Sequence, residues 1–131
     1  MIKNLVLVAL GGGIGSVARY LCQKWFAENA VHPFPWATFF VNLLGCLLIG
    51  IIYAMAERSS LLTPQTRLLL ITGFCGGFTT FSAFSFQTLD LLRSGAWGRA
   101  AANVAFSVLL CIAAVAFGSY LAGDSGTQAG I

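Results

Sequence analysis

The sequence predicts an all-α integral membrane protein with four transmembrane helices, the third broken near its middle. Three observations carry this. Of 131 residues, 58% are hydrophobic and only 8% are charged, against about a quarter charged in a soluble domain. The apolar residues fall in four long runs separated by short polar stretches. One of those runs holds a cluster of glycine, threonine and serine that suits a helix poorly. Seven Lys/Arg and four Asp/Glu cannot coat a soluble body of this size, and the mean hydropathy is +0.86. A soluble enzyme, a disordered tail and a nucleic-acid-binding module are excluded. The net charge of +3 is too scattered for a phosphate-binding stripe.

A span needs about 20 apolar residues, so four spans use most of the chain and the function is expected among the helices. A single four-helix transmembrane domain over residues 1–131 is expected, with spans at about 5–26, 36–56, 67–90 and 99–122. The first run begins after Lys3 and carries Arg19 inside it. Its start resembles a signal peptide, but no A-x-A site follows, and Arg19 and Tyr20 stand where cleavage would fall. The second run follows His32-Pro33-Phe34-Pro35, which must turn, because proline restricts itself and its predecessor. The third opens on Thr63-Pro64, an N-cap followed by a first helical residue. The fourth lies between Arg99 and Asp124, and the small polar tail after Gly123 is expected to fray.

Four spans put both termini on one side. Lys3, Arg58 and Arg67 then face Lys24, Arg93 and Arg99, with Arg19 added to the second group if counted. The positive-inside rule needs an excess to fix orientation, and here there is almost none. The chain is therefore expected to insert both ways and pair as an antiparallel, dual-topology homodimer. A single topology with weak determinants is the alternative.

The third run reads Gly73-Phe74-Cys75-Gly76-Gly77-Phe78-Thr79-Thr80-Phe81-Ser82-Ala83-Phe84-Ser85-Phe86-Gln87. A break near residues 75–80 would free carbonyls where no water can reach them, at several kcal/mol each. It survives only if buried in protein, lining a wet cavity or binding a cation. Otherwise the glycines serve close helix packing. Beyond the break, Phe81 and Phe84 share a helix face, with Ser82 and Ser85 on an adjacent one. Phenyl rings are positive at their edges, so this pattern suits a narrow path for a small anion; lipid-facing or core phenylalanine suits it too. Asn42, with Thr38 one turn earlier, either glues helices or lines a polar path. Asn103 and Ser107 make a similar stripe in which glue is the simpler role. Arg19 either snorkels or makes a positive vestibule. Cys22, Cys46, Cys75 and Cys111 fall one per run and are expected to be small packing residues.

Several chemistries are missing. No nucleophile–base pair, metal cluster or phosphate loop is present, so no enzyme is expected. No Asp or Glu lies mid-span, which weighs against a proton-coupled, dual-topology exporter of cationic compounds. A non-transporting membrane assembly subunit would need only the packing glycines.

The motifs GGGIGSVARY, FPWATFFVNLLG and GFCGGFTTFSAFSF together resemble the Fluc (CrcB) family of small fluoride channels, and the likeness covers about Gly11 to Gly118. The resemblance implies an antiparallel homodimer with two pores in the inner (plasma) membrane. Such a channel exports fluoride that entered as HF and was trapped as F⁻. It implies a structural Na⁺ at the dimer centre, held by backbone carbonyls of Gly76 and Thr79. It assigns Phe81 and Phe84 to the pore with Asn42, Thr38, Ser82 and Ser85, and Arg19 to the entrance. Partners would be a second copy, F⁻ and the lipid bilayer, with no nucleic acid. Three positions depart from the pattern: Ala83 for Thr, Gln87 for Glu and Ala37 for Gly. The first two are expected to lower throughput.

Overall fold

The computed structural model describes residues 1–29, 34–58 and 62–123. All regular structure among these is helical. Helix α1 is Ile2–Asn29 and α2 is Trp36–Arg58. The third span starts as Pro64–Arg67, widens to a π-helix over Leu68–Cys75 and returns to α geometry at Gly76–Phe78. These three stretches, residues 64–78, are here α3. After two extended residues, α4 runs Phe81–Arg93, and α5 is Trp97–Ala122. All four spans are long and apolar enough to cross a membrane, and each runs past the bounds expected from the apolar runs alone. The His32-Pro33 half of the anticipated turn and the tail after Gly123 lie outside the described residues.

Local chemistry sets the ends. The Thr63 hydroxyl accepts from Thr66 N–H at 3.1 Å, and Pro64 supplies a first helical residue with no donor to lose. Gly95, at φ 81°, closes α4 in a Schellman turn: Gly95 N–H donates to Leu92 O and Ala96 N–H to Leu91 O. Two arginines tie helix ends together. Arg58 Nη1 donates to Ala122 O at 2.8 Å, and Arg67 Nη2 to Ala56 O at 3.1 Å. Each cation sits on C-terminal carbonyls that lack helical donors.

The bundle is built as two pairs, α1 on α3 and α2 on α5. Both seams are made by glycine. A Cβ on Gly15 would strike the Phe74 carbonyl oxygen, and one on Gly118 the Leu47 carbonyl oxygen. Backbone meets backbone because helix association in lipid rests on close packing, not on hiding apolar surface from water. The burial pattern is accordingly inverted relative to a soluble protein. Leu10, Ile14, Leu109, Ile112 and Phe117 are each more than half exposed, whereas Gly11, Gly15, Thr38, Asn103 and Ser107 are buried. Trp25, Trp36 and Trp97 all lie at one end of the bundle. There Phe26 of α1 meets Phe40 of α2, and Trp36 shares a pocket with Arg99 of α5.

Gly15→Ala is expected to wedge α1 from α3 and cost about 1–3 kcal/mol, measured by denaturant titration in detergent. Gly13→Ala, whose Cβ would meet nothing, is expected to leave stability unchanged.

Candidate functional site

The third span breaks at Thr79 (φ −87°, ψ 157°) and Thr80 (φ −150°, ψ 115°). The glycines before them stay helical. Two side chains hold the break. Asn42 on α2 accepts from Thr80 N–H at 2.7 Å through Oδ1 and donates to Thr80 O at 3.1 Å through Nδ2. The Asn42 amide thus replaces the missing helical acceptor of Thr80 N–H and adds a second donor to the Thr80 carbonyl, which as the N-cap oxygen already takes the first bond of α4. Thr80 in turn caps α4: its hydroxyl accepts from Ala83 N–H at 3.1 Å.

These diversions have a direct consequence for two carbonyls. In a continuous helix Thr80 N–H would donate to Gly76 O and Ala83 N–H to Thr79 O. Both donors are spent elsewhere. The donor set at Gly76 and Thr79 is therefore neutral carbonyl oxygen released from helical bonding, a chemistry that suits a hard alkali cation. Their neighbours are committed. Cys75 O accepts from Thr79 N–H and Thr79 Oγ1, and Gly77 O from Arg19 Nε at 3.0 Å.

Beside the break, α2, α3, α4 and α5 leave an open groove of about 440 Å³. Asn42, Gly76, Thr79, Phe81 and Phe84 line it, together with Ser107. The Phe81 and Phe84 rings lie 5.5 Å apart at 44°. Phe81 is 78% exposed, so it stands proud of this single chain.

The other anticipated residues sit around the groove instead of on it. Thr38 is buried between helices, and its hydroxyl has no hydrogen-bond partner. Ser82 and Ser85 are exposed on the outer side of α4, with the Ser82 hydroxyl 3.2 Å from that of Thr80. Arg19 lies ten residues from the Asn29 end of α1, level with the break through its bond to Gly77 O. Its guanidinium is held inward. Asn103 and Ser107 act as glue: Asn103 Nδ2 donates to Thr88 Oγ1 at 2.9 Å, and Ser107 Oγ donates to Asn103 Oδ1 at 3.4 Å. Gln87 presents a buried Oε1 with no donor near it. A carboxylate there would place a charge against nothing in this chain, so the amide is the cheaper occupant. Sequence reasoning missed Thr80, the residue on which the break turns. Its signal was present, since Thr80-x-x-Ala83 is an N-cap placed before an apolar helical run.

A four-span membrane protein with a broken third span and an apolar groove beside the break is a narrow structural class. The chain belongs to the CrcB family, described as CrcB-like protein, Camphor Resistance (CrcB), which it matches over residues 6–119. Relatives named fluoride-specific ion channel FluC include one from Leptospira interrogans serovar copenhageni. It is 53% identical over 93 residues, 71% of this chain and 73% of the relative. Another from Bacteroides fragilis is 47% identical over 122 residues, 91% of this chain and 95% of the relative. A third from Gluconobacter oxydans is 44% identical over 128 residues, 95% of this chain and 88% of the relative. Family membership and the four spans make the chain a multi-pass membrane protein, not an enzyme; in a bacterium that is a protein of the inner membrane.

Asn42→Leu is expected to strand Thr80 N–H in a region without water, while Thr80 C=O keeps its N-cap bond within α4. The loss should be about 1–3 kcal/mol, the cost of one buried unsatisfied group, read as a fall in unfolding midpoint in detergent.

Proposed function

We propose that the chain is a fluoride-selective channel, passing cytoplasmic F⁻ down its gradient through two pores of an antiparallel homodimer with a structural Na⁺ at its centre. The observation that carries this reading is the clasped break beside the Phe81–Phe84 pair on an open groove. F⁻ is small and holds water tightly. A path for it must replace that shell with donors and positive edges, as carbonyl rings do for K⁺. Phenyl edges from Phe81 and Phe84 and the Asn42 amide supply these at the groove, and the hydroxyls of Thr38, Ser82 and Ser85, which stand around the groove in the single chain, would complete the path in the dimer, without a fixed cation that would trap the ion. Arg19, level with the break, raises the anion potential at a deep entrance. The names of the relatives favour the same ion.

The pairing rests on two supports. The Lys/Arg balance between ends is nearly even. The exposed Phe81 and the open groove beside it leave a face that an inverted copy would cover. Gly76 and Thr79 carbonyls from each copy would hold the Na⁺, which supplies charge to orient backbone oxygens across the interface. Glu57 and Asp90 stand near span ends, so no mid-membrane carboxylate supports proton coupling.

In liposomes holding the purified protein, a fluoride electrode should record fast F⁻ efflux with little Cl⁻ efflux. Phe84→Ile is expected to cut F⁻ efflux at least tenfold while the dimer stays intact by gel filtration. Unchanged efflux would overturn the phenyl-lined path.

Replacing Na⁺ by K⁺ throughout purification and assay is expected to silence efflux or lower the thermal midpoint, and returning Na⁺ should restore it. Equal behaviour in K⁺ would exclude a selective carbonyl site.

A further inference from the structure

A second groove, of about 480 Å³, runs along the α2–α5 seam and plays no part in the proposed path. Phe34, Trp36 and Phe39 line one wall, with ring centroids 4.7 Å apart for the first two and 6.2 Å for the second two. Arg99, Phe106 and Leu110 of α5 line the other. Spacings of seven and four put these three on one helical stripe. At 1.5 Å per residue the stripe is about 17 Å long, close to one leaflet, which is half of a hydrocarbon core about 30 Å thick. Ser107 and Cys111, which line the groove beside the break, stand about 100° further round α5. The two grooves therefore open to different sides of that helix. Arg99 is exposed at the mouth of this one and makes no hydrogen bond or ion pair with the described residues. No side chain caps the start of α5 beside it, at Ala96.

We propose that this groove is a site for an anionic phospholipid of the phosphatidylglycerol type, with one acyl chain between the aromatic wall and α5 and the phosphate on Arg99. Depth, charge and shape each select that occupant. Trp36 and Trp97 bracket the mouth, and indole rings settle at the headgroup level. Arg99 is thus held where lipid phosphates lie, and its guanidinium fork matches two phosphate oxygens. The first-turn N–H groups of α5 favour negative charge at the same level. The lining residues include no carboxylate, so the ammonium of a zwitterionic headgroup finds no counter-ion there, whereas a glycerol headgroup needs none. Below the mouth the walls are apolar down to Leu110, as an acyl chain requires. A further groove between the same helices, lined by Phe40, Leu44 and Phe117, has no charged residue and so cannot select a headgroup. This site stands apart from the transport reading, and its test uses no flux.

The experiment titrates the purified full chain in detergent with dioleoylphosphatidylglycerol or dioleoylphosphatidylethanolamine and reads bound lipid by native mass spectrometry. The glycerol lipid is expected to bind about fivefold more tightly, the effect of one arginine near an anionic headgroup. Arg99→Gln should erase that preference. Arg93→Gln, which removes a cation from the same end but outside the groove, should leave it intact. Ala102→Phe, which fills the groove and keeps Arg99, should lower retention of the glycerol lipid, and it decides the matter if Arg99→Gln fails to fold by gel filtration. Inorganic phosphate at the lipid's concentration should not compete. Equal retention of the two lipids would overturn the proposal, as would a preference that survives Arg99→Gln. Equal loss in Arg93→Gln would mean diffuse charge in place of a site, and competition by phosphate a free-anion site; either outcome would overturn it too.

Discussion

Everything in this structure depends on one constraint: in a bilayer, a backbone N–H or C=O with no partner costs several kcal/mol. The third span breaks at Thr79 and Thr80 in spite of it, and the chain provides for the groups that the break exposes, the Gly76 and Thr79 carbonyls excepted. Asn42 takes both polar groups of Thr80, and the Thr80 hydroxyl takes Ala83 N–H. Arg19 covers Gly77 O, while Cys75 O keeps its helical donor, Thr79 N–H, and takes the Thr79 hydroxyl as a second. Three side chains, those of Asn42, Thr80 and Arg19, thus perform work that uninterrupted helix would have done at no cost. The break is held from three helices, so it belongs to the fold as firmly as any helix does.

The same constraint explains the inverted interior. Lipid is as apolar as leucine, so burying leucine gains nothing there, while close backbone approach and shared polar groups do. Glycine therefore makes the α1–α3 and α2–α5 seams, and the Asn103–Thr88–Ser107 network joins α4 to α5. Where the pairs meet, small and polar side chains leave a groove instead of a packed core. The cavity beside the break is the remainder of a packing scheme in which bulk faces outward.

Much of this was legible in the residues. The four spans follow from composition and run length, and Thr63-Pro64 marks the third helix start where the structure has it. The existence of a break was legible because Gly76, Gly77, Thr79 and Thr80 crowd one stretch. Its placement was less so. Gly76 and Gly77 carry the weakest helix propensity, yet they remain helical. A Cβ at Gly77 would strike the Gly12 carbonyl oxygen, so its smallness serves packing, whereas one at Gly76 would have room; the unwinding falls on the β-branched pair that Asn42 can reach. That pairing spans 38 residues of sequence, and no local pattern announces it. The partner of Arg19 was not legible for a related reason: run length gives where charges sit along a helix, not which carbonyl they find. That Cys46, Cys75 and Cys111 come to line one groove likewise follows only from separate helices registering side by side.

The tryptophans have a mechanical consequence. Indole rings settle at the headgroup level, and Trp25, Trp36 and Trp97 are all at one end. That end is fixed in depth. A thicker or thinner bilayer must then be accommodated at the opposite end, among Lys3, Arg58 and Arg67. There the two arginines bind the ends of α2 and α5 and the start of α3 through backbone carbonyls. Strain from a mismatched membrane would therefore move that end as one block, and the seams near the break would be spared.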